Sequence, residues 1–93
     1  MTIENIRQSV IGLVDKYPIK KVILFGSRAN GTNKDTSDVD LIIEFYKPIT
    51  LITLSMIKDE LEEMLKLDVD VIHGPIREDD MIEIEKEVLL YAA

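Results

Sequence analysis

Three short runs of β-branched and apolar residues, Val22-Ile23-Leu24-Phe25, Val39 to Phe45 and Val69-Asp70-Val71-Ile72, alternate along this chain with stretches whose apolar residues recur every three to four positions. That alternation leaves few architectures open. The runs are strand-length, and the periodic stretches are helices with one apolar face. Neither kind of element can bury its apolar side without the other, so the expected fold is a sheet covered by helices.

In the first periodic stretch, residues 3–14, Ile3, Ile6, Val10, Leu13 and Val14 share one helix face. Thr2 can cap its start and Pro18 stops it. Residues 20–25 form a strand ending at Gly26, and the Asn-, Thr- and Ser-rich stretch 27–37 forms a loop. Residues 38–45 form a second strand. Val39, Leu41, Ile43 and Phe45 share one of its faces, and Asp38, Asp40, Ile42 and Glu44 the other. A helix over residues 50–66 carries Leu54, Ile57, Leu61, Met64 and Leu65. A third strand over residues 67–72 ends at His73-Gly74-Pro75, and a last helix over residues 78–91 carries Met81, Ile84, Val88 and Tyr91. The fold class is therefore α/β (α+β): a small mixed sheet of three or more strands flanked by helices, with residues 1–93 as one domain.

Charge and composition narrow the function. With 11 Lys and Arg against 18 Asp and Glu, the net charge is −7, which disfavours tracking a nucleic acid backbone or an anionic membrane. No cysteine is present, so disulfides, thiolate nucleophiles and Cys-ligated metals are excluded. The amino terminus carries no basic and apolar targeting pattern and no apolar run is long enough to span a bilayer, so the expected location is cytoplasmic. A chain of 93 residues buries only about 60–65% of its unfolded surface, which makes a ligand or partner a natural source of extra stability.

The residues that break the folding pattern carry the chemistry. Asp38 and Asp40 are two apart on one strand, so their carboxylates point the same way, and their repulsion is costly unless a cation lies between them. Asp68 and Asp70 repeat the arrangement, and sequence alone does not choose between them. Oxygen-only groups of this kind suit hard divalent ions such as Mg²⁺ together with substrate phosphates. Gly26-Ser27 follows a buried strand, where glycine allows close backbone approach and the following amides can hold phosphate oxygens. If the strands flanking the loop pair antiparallel, Gly26 and Ser27 lie beside Asp38 and Asp40. With each residue type at about 6–7%, a chance Gly-Ser-x10-Asp-x-Asp match in a chain this size is on the order of one in a thousand. Glu44 reads as an edge charge and His73 as a turn residue. Arg28 and Lys34 lie in the loop, Arg28 being the better placed for phosphate. The acidic residues Glu78, Asp79, Asp80, Glu83, Glu85 and Glu87 form either a solvated helix face or a docking face for a basic partner.

Gly26-Ser27-Arg28-Ala29-Asn30-Gly31 followed by Ser37-Asp38-Val39-Asp40-Leu41 resembles the signature of the DNA polymerase β-like nucleotidyltransferase superfamily. The small size resembles its minimal nucleotidyltransferase (MNT) branch, whose members act as antitoxins of HEPN-domain proteins. The opening helix, the 69–72 strand and a closing helix ending in Leu89-Leu90-Tyr91 extend the resemblance over essentially the whole chain. Asn30 departs from it, since many members carry Arg before the glycine corresponding to Gly31.

The resemblance implies that Asp38, Asp40 and Asp70 are catalytic and ligate two Mg²⁺ ions, Asp70 also helping to deprotonate the attacking hydroxyl. It implies that Gly26, Ser27 and Arg28 bind the triphosphate of ATP. The implied function is transfer of AMP to a tyrosine of a HEPN RNase toxin, within a hetero-oligomer and without direct nucleic acid binding. The lack of room for an acceptor-selecting domain fits a protein acceptor. The alternatives are an antitoxin that acts by binding alone, and a nucleotidyltransferase with a small-molecule acceptor.

Overall fold

The structure, a computed structural model, describes residues 2–26, 38–74 and 87–93. Its elements in chain order are helix α1 (Ile3–Ile11), strand β1 (Ile19–Phe25), strand β2 (Val39–Phe45), helix α2 (Leu51–Leu65), strand β3 (Val69–His73) and strand β4 (Val88–Ala92). The four strands form one mixed sheet in the order β3-β2-β1-β4. The pairs β1/β2 and β1/β4 are antiparallel, and β2/β3 is parallel. A parallel neighbour requires the chain to return to the same end of the sheet, and α2 supplies that return.

Local signals explain the helix ends. Thr2 caps α1 as its hydroxyl accepts from Asn5 N–H at 3.1 Å, and Thr50 caps α2 in the same way from Thr53 N–H. Helix α1 ends at Ile11, earlier than the sequence periodicity suggests, because Gly12 begins a run of turns that carries Leu13 into the core. Helix α2 stops where Lys66 adopts a left-handed backbone (φ 57°) and donates its N–H to Glu62 O.

Both helices lie on one face of the sheet. Ile6, Val10 and Leu13 from the α1 side and Ile57, Leu61 and Leu65 from α2 join Val22, Leu24, Val39, Leu41, Ile43, Val69 and Leu90 in one buried cluster. An irregularity between Ile19 and Lys21 lets Ile19 and Val22, three residues apart, both enter this core. Two polar ties pin the layer: Glu60 of α2 accepts from Lys16 and Tyr17, and Arg7 of α1 donates to the carbonyls of Leu89 and Leu90.

The fold class expected from sequence is the one observed, with a correction at the end of the chain. Residues 88–91, expected as the end of a helix over residues 78–91, instead belong to β4 against β1. Val88 and Tyr91 favour strand geometry, and the pairing of β4 leaves β1 with neighbours on both sides, with Leu90 in the core. The acidic residues from Glu78 to Glu85 lie outside the described residues. Met64, expected on the apolar face of α2, is exposed. Among the described residues, no helix is long and apolar enough to cross a membrane.

Candidate active site

Strand β1 ends at Phe25, which is paired with Asp40 near the start of β2. The chain then turns at Gly26, whose φ of +78° is a conformation that side-chain-bearing residues rarely adopt. A Cβ at Gly26 would overlap Asp40 Oδ2 and stand 3.3 Å from its Cγ. The missing side chain is therefore the space that the Asp40 carboxylate occupies. Across the sheet, Asp40 is in register with Asp70 of β3. Phe25, Asp40 and Asp70 thus form a row across three strands, on the face that the two helices do not cover.

The electrostatics of this row are unfavourable as it stands. Burial pushes the Asp40 carboxyl above the usual carboxylate range, and the negative charges of Asp70 and then Asp38 push it further. Side-chain hydrogen bonding with Asp70 acts in the same direction. Neighbouring strands in a sheet are only about 4.8 Å apart, so in-register carboxylates cannot avoid each other. Among the described residues, no three His, Cys, Asp or Glu side chains are already gathered into a closed metal cluster. Asp40 and Asp70 form the close pair, and exposed Asp38 acts from the approach to β2. Hard oxygen donors with uncompensated negative charge are the set that Mg²⁺ takes, so the residues present fit that ion.

The other expected site residues fall into distinct places. Ser27 and Arg28, with the other residues up to Ser37, lie outside the described residues. Between the two aspartates that sequence leaves level, Asp70 shares the row of Asp40. Asp68 precedes β3 and contributes its carbonyl to Val39 N–H at 2.9 Å. Glu44, two residues beyond Ile42 on the open face, pairs with Lys21 at 3.8 Å. His73 packs its ring against Phe45 with centroids 5.1 Å apart, on the helix side of the sheet.

One group of residues beside the site escapes the sequence reading. Glu62 of α2 turns its Oε2 to the Val69 backbone N–H at 3.0 Å and to Lys58 Nζ at 3.1 Å. The Lys58/Glu62 spacing is legible as a helical ion pair. The link to Val69 depends on how the turn after α2 folds back, which no sequence periodicity encodes.

Comparison with known proteins gives a consistent setting. The family model described as nucleotidyltransferase domain matches residues 6–91. A candidate protein adenylyltransferase of Methanocaldococcus jannaschii is 39% identical over 72 residues, covering 77% of this chain and 77% of its own. Among solved structures, that of a candidate minimal nucleotidyltransferase superposes with a TM-score of 0.73 at 27% identity, covering 95% of each chain. A complex of a tri-AMPylated Shewanella oneidensis HEPN toxin with MNT antitoxin contains a chain that superposes with a TM-score of 0.74. That match covers 99% of this chain and 74% of the other, and at 18% identity it speaks to fold alone.

Proposed function

This chain belongs to the nucleotidyltransferase domain family, and from that premise we propose that it transfers AMP from ATP to a tyrosine hydroxyl of a HEPN-type toxin, acting as its antitoxin. The observation that carries the reading is the Gly26–Asp40–Asp70 arrangement: a bare backbone turn against one carboxylate, with a second carboxylate in register beside it. The archaeal relative named for protein adenylyl transfer and the fold shared with a toxin-bound MNT antitoxin support the choice of acceptor.

In this reading Asp38, Asp40 and Asp70 would hold two Mg²⁺ ions. When bound, these ions would supply positive charge where oxygens enter and leave the phosphorus. Gly26 allows the triphosphate to approach the backbone next to Asp40, and Ser27 and Arg28 hold its outer oxygens. Asp70 is exposed on β3, the edge strand among the described residues, which suits approach by a side chain from another protein. The tyrosine oxygen attacks the α-phosphorus, its proton passes to Asp70, and the bond to the departing pyrophosphate breaks.

The test is incubation with α-labelled ATP, Mg²⁺ and a candidate HEPN-type partner, the product of the neighbouring gene where that gene encodes one. Label is expected on a partner tyrosine and is expected to vanish for Asp38→Ala/Asp40→Ala. A tight complex that never acquires label would assign neutralisation to binding alone. Label on a small molecule but not on the partner would overturn the protein acceptor.

A further inference from the structure

Among the described residues, strand β3 has a neighbour on only one side, yet it carries one of the two carboxylates that repel each other across the sheet. Something must hold its first residues in place. In the parallel pair, Asp68 O is directed at β2, where it accepts from Val39 N–H at 2.9 Å. Alternation along a strand then turns the Val69 N–H away from β2, toward the open edge. The Glu62 carboxylate meets that N–H at 3.0 Å, while Lys58 Nζ, one helical turn back, steadies the same carboxylate oxygen at 3.1 Å. Val69 itself is fully buried against the helices, so its backbone is fixed from the core side by packing and from the edge by Glu62.

We propose that Glu62 is a positioning residue for Asp70: by bonding the Val69 N–H it sets the height of β3 and holds the Asp70 carboxylate opposite Asp40, where the pair is ready to share a divalent ion. This rests on the metal-site reading of Asp40 and Asp70 given above. Glu62 makes no contact with substrate in this role and acts through the backbone one residue before Asp70. The strong backbone bond also holds the Glu62 carboxyl below the usual carboxylate range, so it stays an acceptor at neutral pH.

The role separates into reach and charge, and two conservative variants divide them. Glu62→Gln keeps an oxygen that can reach Val69 but removes the charge. Glu62→Asp keeps the charge but is one methylene too short. Both are mild changes, and a thermal scan confirms that each folds. Affinity for Mn²⁺ alone is measured by electron paramagnetic resonance, together with exchange of the Val69 amide hydrogen, with Asp70→Ala as reference. Expected is roughly a tenfold loss of Mn²⁺ affinity and faster Val69 exchange in Glu62→Asp, with Glu62→Gln within about threefold of the parent, the scale seen when partners of metal ligands are altered. Mn²⁺ affinity unchanged in Glu62→Asp, but reduced in Asp70→Ala, would overturn the positioning role and leave the metal site standing. A loss in Glu62→Gln with none in Glu62→Asp would also overturn it, because the effect would then be charge. No loss in Asp70→Ala would overturn the metal-site reading itself, and the inference with it.

Discussion

Strand β2 has two faces separated by a single residue step and ruled by different physics. Toward the helices, Val39, Leu41 and Ile43 are almost completely buried in the common core. Toward the open side, Asp40 faces Asp70, and burial together with two neighbouring negative charges pushes its carboxyl above the usual carboxylate range. The first face lowers the free energy of the fold through apolar burial, and the second raises it through repulsion. The stability of the helix-covered face makes room for an unfavourable arrangement beside it. A group kept under such repulsion is a common mark of a site awaiting a ligand.

The largest expected effect is a split between the faces. Asp40→Asn should lower AMP transfer by roughly 10³-fold or more, the range commanded by single catalytic groups. The metal-free protein should nevertheless melt at the same temperature or higher, because a repelling charge is gone. A labelled-ATP assay beside a thermal scan reads both, and a drop in melting temperature would mean that Asp40 stabilises the fold.

The reverse change belongs to the other face. Leu61→Ala removes a fully buried side chain and should cost about 2–5 kcal/mol of stability by chemical denaturation. Activity per folded molecule at low temperature should stay within a few-fold of the parent. If it falls in step with Asp40→Asn, the two faces are not separable.

Gly26→Ala tests the seam between them. A Cβ there meets the Asp40 carboxylate, and the positive φ adds strain of about 1–2 kcal/mol. Loss of both stability and transfer is expected; a variant with normal transfer would show that the carboxylate is free to move aside.

The smallest effect is in acid. Glu60, accepting from Lys16 and then Tyr17, and Glu62, accepting from Val69 and then Lys58, have carboxyls held below the ordinary value of 4.5. Their contribution is complete above that value and is lost as pH falls through the lower folded one. Asp40 runs the other way. Its folded value lies above the ordinary 3.8, so its contribution is present below 3.8 and lost as pH rises through the folded value. Urea midpoints between pH 3 and 6 should fall more gently for Glu60→Gln than for the parent, and more steeply for Asp40→Asn. Parallel curves for all three would remove the opposition.

Much of this was legible in the residues. The alternation in residues 39–45 assigns Val39, Leu41 and Ile43 to one face and Asp40 to the other, and burial follows that division. The strands on either side of residues 27–37 do pair antiparallel, the condition under which Gly26 comes beside Asp40, and Phe25 is in register with Asp40. Ile42 departs from the simple picture. It sits on the Asp40 face yet is almost fully buried, outside the helix-covered core. The helical spacing of Met81, Ile84, Val88 and Tyr91 predicts a helix over residues 78–91, yet residues 88–92 form β4. Two members of a stripe fit a strand as readily as a helix, and pairing with β1 decides for the strand.

By itself the sequence determined that a small sheet would carry alternating carboxylates next to a Gly-Ser turn, because side-chain direction along a strand is a local property. Only the tertiary structure decided that Asp70, not Asp68, stands opposite Asp40, that Gly26 leaves the space its carboxylate fills, and that Glu62 reaches Val69. Register between strands and the path of a turn join residues distant in the chain, and their geometry is set by packing of the whole core.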